Sequence, residues 1–297
     1  MQTPVTEWPN PRTEGLDTLP TAALLERIND EDREVAERVR AAIPRIAEAV
    51  DVLAEGLRSG GRLIYVGAGT SGRLGVLDAA ECLPTFGMSP DQVLGVIAGG
   101  PAALTRAIEG AEDDAEAGGA AMDTLAVRRG DTVVGISASG GAPYVRSAMW
   151  RARERGAATV GISNVPESPL SGDVDIPIEV VTGPEVIQGS TRLKAGTAQK
   201  MVCNMLSTGA MVRIGKTWGN RMVDVQSTNA KLVARARRLV RELGPVESDE
   251  AADRVLADAG GSVKRAIAMA RRGVGAGEAD RLLREADGFL GRVVDAG

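Results

Sequence analysis

Two short stretches pair glycine with hydroxyl groups in a way suited to holding an anion: Gly67-Ala68-Gly69-Thr70-Ser71-Gly72 and Ser137-Ala138-Ser139-Gly140. Each follows an apolar run that reads as a buried strand, RLIYV and DTVVGI. A phosphomonoester presents three oxygens, which N–H groups at a helix start and nearby hydroxyls can satisfy together. Thr70 and Ser71 sit where one helix would begin, and Ser137, Ser139 and Gly140 open a second. Gly67, Gly69 and Gly72 also fit a dinucleotide loop, but that site needs an acid about 20 residues on, at the end of the next strand. Here the next strand, QVLGVIAGG, ends in Ala98-Gly99-Gly100 and supplies none, which favours a phosphate. Plain helix capping is the alternative for either loop taken alone.

The chain has no histidine. That removes a Ser-His-Asp triad, an HExxH metal site and imidazole acid–base chemistry, so proton transfer falls first to carboxylates. Cys82 and Cys203 are too few and too far apart for a disulfide framework or a zinc site, and read as buried small hydrophobes.

Alternating elements must position these groups. RLIYVGA, QVLGVIAG, DTVVGIS, AATVGIS and VDIPIEVV alternate with helical patterns between about 62 and 181, the pattern of βαβ units in a parallel sheet covered by helices. Before them, Val35, Val39, Ile43, Ile46, Val50, Leu53 and Leu57 mark one stripe of a long helix, which Pro44 should kink. Residues 1–20, with four prolines, are expected to run over the surface or onto a partner subunit. After the sheet come a largely buried helix at 194–215, another at roughly 224–243, and three short ones near 248–259, 261–272 and 277–294. Val255, Val263, Ile267, Leu282, Leu283, Phe289 and Leu290 are their expected core.

The bulk properties narrow the ligand. Aromatics are 2% of the 297 residues, too few for base-stacking platforms, and a net charge of −5 with dispersed basic residues argues against nucleic acid. No signal-like or membrane-spanning apolar stretch occurs, so the expectation is a cytoplasmic protein with no membrane partner and a small-molecule ligand.

Several longer stretches carry a resemblance: TEG at 13–15, INDED at 28–32, GGRLIYVGAGTSGRLGVLDAAEC at 60–82, GAEDD at 110–114, SASG at 137–140, GSTRLKAGTAQKMVCNMLSTG at 189–209 and GKTWGNRMVDV at 215–225. Across nearly its whole length the chain resembles the N-acetylmuramic acid 6-phosphate etherases, within the sugar isomerase (SIS) superfamily. The resemblance implies a flavodoxin-like, doubly wound α/β SIS domain over 59–223, preceded by an extension and long helix over 1–58. Over 224–297 it implies C-terminal helices ending in a bundle similar to ubiquitin-associated domains. It further implies a homodimeric lyase, without metal or organic cofactor, that cleaves the D-lactyl ether of the sugar phosphate in muramic acid catabolism.

The resemblance also assigns roles. Glu81 matches the general acid toward the departing lactate, and Glu112 the base. On a helix starting at Ser71, Glu81 falls seven residues after Leu74 and four after Leu77, on an apolar stripe where burial would keep it protonated. Read by itself, the run Glu109, Glu112, Asp113, Asp114 and Glu116 is a solvated acidic helix face. Thr70, Ser71, Ser137, Ser139 and Gly140, with Ser190 and Lys194, are the expected phosphate ligands, although Lys194 could be an ordinary helix-start lysine. One departure stands out: the family follows SASG with Arg-Thr-Pro-Tyr, whereas this chain has Gly141-Ala142-Pro143-Tyr144. A regulator resembling glucokinase regulatory protein, or an aldose–ketose isomerase, are the alternatives on the same domain.

Overall fold

The structure, a computed structural model, describes residues 3–225 and 230–295. The chain divides into two compact units, residues 1–79 with 91–209, and residues 80–90 with 210–297. Helices α1 (Thr21–Arg33) and α2 (Val35–Arg58) precede strand β1 (Leu63–Gly67), followed by α3 (Gly69–Phe86), β2 (Val93–Ile97), α4 (Ala115–Thr124) and β3 (Thr132–Ile136). Then come α5 (Pro143–Glu154), β4 (Ala158–Ser163), α6 (Pro169–Asp173), β5 (Ile176–Glu179) and α7 (Lys194–Arg213).

All five predicted strands form, in one parallel sheet of order β2-β1-β3-β4-β5. This is the flavodoxin-like order, doubly wound as expected. Side chains alternate across it. The Tyr65 hydroxyl reaches Asp78 of α3 and the Cys203 carbonyl of α7, while Ile64, Val66 and Val133 pack with Val145, Ala148 and Met149 of α5. Three strands carry a glycine where a helix crosses them. A Cβ on Gly95 would stand 2.5 Å from Val76 Cα of α3, on Gly135 2.9 Å from Met149 Sδ of α5, and on Gly161 3.0 Å from Leu170 Cγ of α6. Those helices ride directly on the backbone of the sheet.

In α2 the expected stripe is buried at Val35, Val39, Ile46, Leu53 and Leu57, but Ile43 is 46% exposed. At about 100° per residue Ile43 lies at the rim of the stripe, roughly 80° from Val35. The helix continues unbroken through Pro44. The N-terminal segment is tied down by 3-10 turns at Val5–Glu7, Pro11–Thr13 and Leu16–Thr18, by Thr13 Oγ1 donating to the Val186 carbonyl, and by Asn10 Nδ2 donating to Glu31.

The second unit holds a small antiparallel ladder, β6 (Thr217–Trp218) with β7 (Arg221–Met222), and helices α8 (Ala230–Leu243), α9 (Asp249–Asp258), α10 (Val263–Arg272), α11 (Ala276–Glu285) and α12 (Leu290–Val294). The predicted start of α8 falls partly on residues outside the described ones. Val263, Ile267 and Leu290 are buried, with Val255, Leu282 and Leu283 packed against them. Phe289 instead lies under the Arg292 guanidinium, 4.3 Å from its ring centre. The last expected helix is two, because Asp287 (φ 53°) and Gly288 (φ 79°) take left-handed conformations that stop α11. Among the described residues no helix is long and apolar enough to cross a membrane, and no group of three or more Cys, Asp or Glu could hold a metal ion.

Candidate functional site

Sheet register sets the two hydroxyl loops side by side. β1 pairs with β3 so that Gly67 lies opposite Ile136, and the chain leaves both strands at the same edge. The first loop leads straight into α3, with Thr70 half-buried and Ser71 buried in its opening turn. Ser71 Oγ donates to Gln199 Oε1 at 2.9 Å, Gln199 Nε2 donates to Asn164 Oδ1 at 2.9 Å, and Asn164 Nδ2 donates to the Val180 carbonyl. This chain of amides fastens the start of α3 to α7 and to the end of β4. To donate to a phosphate, the Ser71 hydroxyl has to turn away from Gln199.

The second loop is a turn rather than a helix start, since α5 begins only at Pro143. Ser137 donates its N–H to the Ile162 carbonyl, the Gly140 N–H returns to the Ser137 carbonyl, and Ser139 Oγ accepts the Gly141 N–H at 3.2 Å. Gly140 has φ +68°, and a Cβ there would stand 2.5 Å from Ser168 Cβ. Only glycine fits that corner.

Ser190 is half-buried in the loop leading to α7, its carbonyl accepting the Leu193 N–H. Lys194 departs from expectation. Its ammonium donates to Glu31 Oε2 at 2.7 Å, with side chains 3% and 2% exposed, so its charge is spent on α1 instead of standing free for an anion. Glu31 also accepts from Arg12 and Asn10. Burial works against the Glu31 carboxylate, yet the bonds from Lys194 and Asn10 and the charges of Lys194 and Arg12 hold it below the usual range. Glu185, fully buried, accepts the Lys194 and Ala195 N–H groups at 2.9 Å each. There burial prevails and pushes the carboxyl up.

Glu112 lies in a 3-10 turn, Ala111–Asp113, not on a helix face. Within the acidic run, Asp114 caps α4, its carboxylate accepting the Ala117 N–H, and Glu116 follows in the first turn of that helix. Glu112 lines a cleft of about 350 Å³ together with Ala68, Gly69, Arg73, Ala98, Arg106 and Glu109. The second glutamate thus opens onto the same space as the first hydroxyl loop. Arg73 shapes its wall: Nε donates to the Leu104 carbonyl at 3.1 Å and Nη2 to the Arg106 carbonyl at 2.9 Å.

The expected burial of Glu81 does not occur: its side chain is exposed. Ser71, Gly72, Gly75, Asp78, Ala79 and Cys82 form the buried face of α3, and at about 100° per residue Glu81 sits roughly 80° round from Ser71. Leu77, on the same outer side, is 50% exposed. The stripe of Leu74, Leu77 and Glu81 is therefore the outer one. The inner face instead takes a carboxylate that the sequence reading passed over, Asp78, because Tyr65, Asn204 and Ser207 all donate to it, at 2.7, 2.6 and 3.2 Å. Glu81 follows Thr70 by 11 residues, about 16 Å of helix axis.

Gln199, Asn164, Arg73 and Arg106 were likewise not foreseen. The available signal was a polar residue inside a helix otherwise read as buried, and an asparagine directly after a strand.

Comparison with known proteins fits this architecture. A model of the glucokinase regulatory protein N-terminal SIS domain matches residues 45–152, and a SIS domain model matches residues 112–209. A phosphoheptose isomerase from Francisella tularensis superposes with a TM-score of 0.51 over 65% of this chain and 98% of that one, at 15% identity, a likeness of fold alone. An N-acetylmuramic acid 6-phosphate etherase of Mycolicibacterium smegmatis is 53% identical over 292 residues, 98% of each chain. One of Serratia proteamaculans is 52% identical over 286 residues, 96% of each. With half its residues shared along nearly the full length of both chains, the protein belongs to the N-acetylmuramic acid 6-phosphate etherase family, built on the SIS fold.

Proposed function

We propose that the protein is a carbon–oxygen lyase that uses water to cleave the D-lactyl ether of N-acetylmuramic acid 6-phosphate. Its products are D-lactate and N-acetylglucosamine 6-phosphate, and it serves cytoplasmic breakdown of cell-wall muramic acid. The observation that carries this reading is the 53% identity to a relative of that name over 98% of both chains.

The chemistry follows from the substrate. An unactivated ether resists direct hydrolysis, but ring opening places an aldehyde next to carbon 2 and makes its proton removable. A base takes that proton, an acid protonates the ether oxygen, and lactate leaves as the carbon 2–carbon 3 double bond forms. Water then adds at carbon 3 and a proton returns to carbon 2. No redox change occurs, so the reaction sequence calls for no redox cofactor. Glu112 is the base and Glu81 the acid, each contributing about 10²–10⁴-fold. Thr70, Ser71, Ser137, Ser139 and Gly140 cradle the phosphate, with Ser190 at the margin. Lys194 fastens the support behind them.

Helix geometry adds a condition. The rise from Thr70 to Glu81 along α3, about 16 Å, is more than the span from a 6-phosphate to carbon 3 of one hexose before side-chain reach is added, which favours an acid supplied by the Glu81 of a second copy, in a homodimer. In support, the Asp78–Asn204 bond sets α3 beside α7, and the neighbouring Leu77 and Met205 are 50% and 36% exposed, an apolar face suited to a second chain.

The test is to incubate purified protein with N-acetylmuramic acid 6-phosphate and follow D-lactate. Glu81→Gln abolishes lactate release yet leaves solvent exchange of the carbon 2 proton partly intact, because abstraction precedes departure. Normal lactate release from that variant would remove Glu81 from its role.

A further inference from the structure

The cleft beside Glu112 contains a cation that the mechanism above does not use. Arg106 lines it together with Gly69 and Glu112. Its backbone is held from two sides, the N–H by the Ala102 carbonyl and the carbonyl by Arg73 Nη2. Among the described residues its guanidinium has no hydrogen bond or ion pair, although Glu109 and Glu112 line the same cleft. Arg73 differs: Nε and Nη2 of its guanidinium hold the carbonyls of residues 104 and 106. The molecule thus presents one anchored arginine with an open, forked head next to the expected base.

We propose that Arg106 is a specificity residue that binds the carboxylate of the lactyl substituent, the group distinguishing this substrate from phosphosugars without an acidic ether. This rests on the proposed function. A guanidinium pairs bidentately with a planar carboxylate, and such pairing fixes orientation as well as strength. Gripping the carboxylate holds the ether oxygen and carbon 3 in register with a base at carbon 2. The same contact stabilises the carboxylate of the departing lactate and therefore acts mainly on capture of the substrate.

The test crosses a residue with a ligand group. Arg106→Gln is compared with the unsubstituted protein on N-acetylmuramic acid 6-phosphate and on its lactyl carboxamide, which keeps the shape and removes the charge. Unsubstituted protein should lose about tenfold to a hundredfold in KM on going to the carboxamide. Arg106→Gln should show that loss already on the natural substrate and lose little more on the carboxamide. Binding of N-acetylglucosamine 6-phosphate, which carries the phosphate and no carboxylate, should be equal in both proteins. If both proteins lose equally on the carboxamide, Arg106 is not the partner. Weaker N-acetylglucosamine 6-phosphate binding by the variant would assign it to the phosphate and overturn the proposal as well. If the unsubstituted protein releases no lactate, the function reading fails alone. Without turnover the same two ligands can be titrated by calorimetry, and the same cross decides Arg106.

Discussion

Replacing Glu31 by glutamine should unfold the support of the phosphate loops more readily than any exposed substitution. Glu31 and Lys194 are 2% and 3% exposed and meet at 2.7 Å, with Arg12 and Asn10 completing the carboxylate's partners. The glutamine keeps one acceptor oxygen, turns an N–H₂ group toward other donors, and leaves the Lys194 ammonium buried with only the Glu185 carboxyl, which burial pushes toward its neutral form, as an acidic neighbour. Stranding one member of a buried pair costs about 3–5 kcal/mol. For a unit of this size each kcal/mol lowers the melting temperature by roughly 2–4 °C, so the expected fall is about 6–20 °C. Lys194→Met is the milder change, because Glu31 retains Arg12 and Asn10, and should cost about 1.5–3 kcal/mol, the worth of a hydrogen bond to a charged group. Adding Lys194→Met to Glu31→Gln should recover part of the loss, since the stranded charge is gone. The pH dependence has a definite sign. Glu31 is held below its ordinary value, so its contribution is present above the unfolded carboxylate pKa and fades as pH falls through the lower folded value. The gap between Glu31→Gln and the unsubstituted protein should therefore close in acid, below about pH 4. Urea unfolding across pH measures all of this. A Glu31→Gln penalty under about 1 kcal/mol, the range of exposed pairs, would refute the argument.

Three further outcomes follow from the same geometry. Ser71→Ala should weaken capture of N-acetylmuramic acid 6-phosphate and of N-acetylglucosamine 6-phosphate alike, by about tenfold each, and unchanged affinity for both would count against the cradle. Gly140→Ala forces a side chain into left-handed backbone and against Ser168; it should cost at least about 1–2 kcal/mol in denaturant unfolding, and a neutral result would contradict the turn. Glu112→Gln should abolish both lactate release and exchange of the carbon 2 proton, unlike Glu81→Gln; surviving exchange, read by NMR in deuterated water, would place the base elsewhere.

The sheet was legible because its evidence is local. Five Val/Ile runs separated by helical patterns require a parallel layer, and the glycines at 67, 69 and 72 mark a strand-to-helix turn without reference to the rest of the chain. Glu81 shows where local evidence stops. A helix with apolar residues on two sides offers two candidate inner faces, and the periodicity that put Leu74, Leu77 and Glu81 together cannot choose between them. The choice is made by Tyr65 of the preceding strand and by Asn204 and Ser207 of a helix far away in sequence, which together satisfy a buried Asp78. Lys194 was misplaced for a similar reason, since its partner Glu31 is 163 positions away. The Arg106 cleft was hidden because its wall is built by side chain to backbone bonds from Arg73, and sequence carries no trace of which carbonyls a guanidinium will find.

The glycines at 95, 135 and 161 bear on how this sequence can change over time. Elsewhere in a strand one aliphatic residue can replace another, and neighbouring side chains give way. At Gly95 the opposing surface is the backbone of α3, and the smallest possible enlargement would lift that helix together with the loop it anchors, whereas at Gly135 and Gly161 the first atoms met are side chains of Met149, Val145, Leu170 and Val174, which would have to repack. Drift in this chain should accordingly run freely through the sheet's aliphatic positions, slow at 135 and 161, and halt at 95.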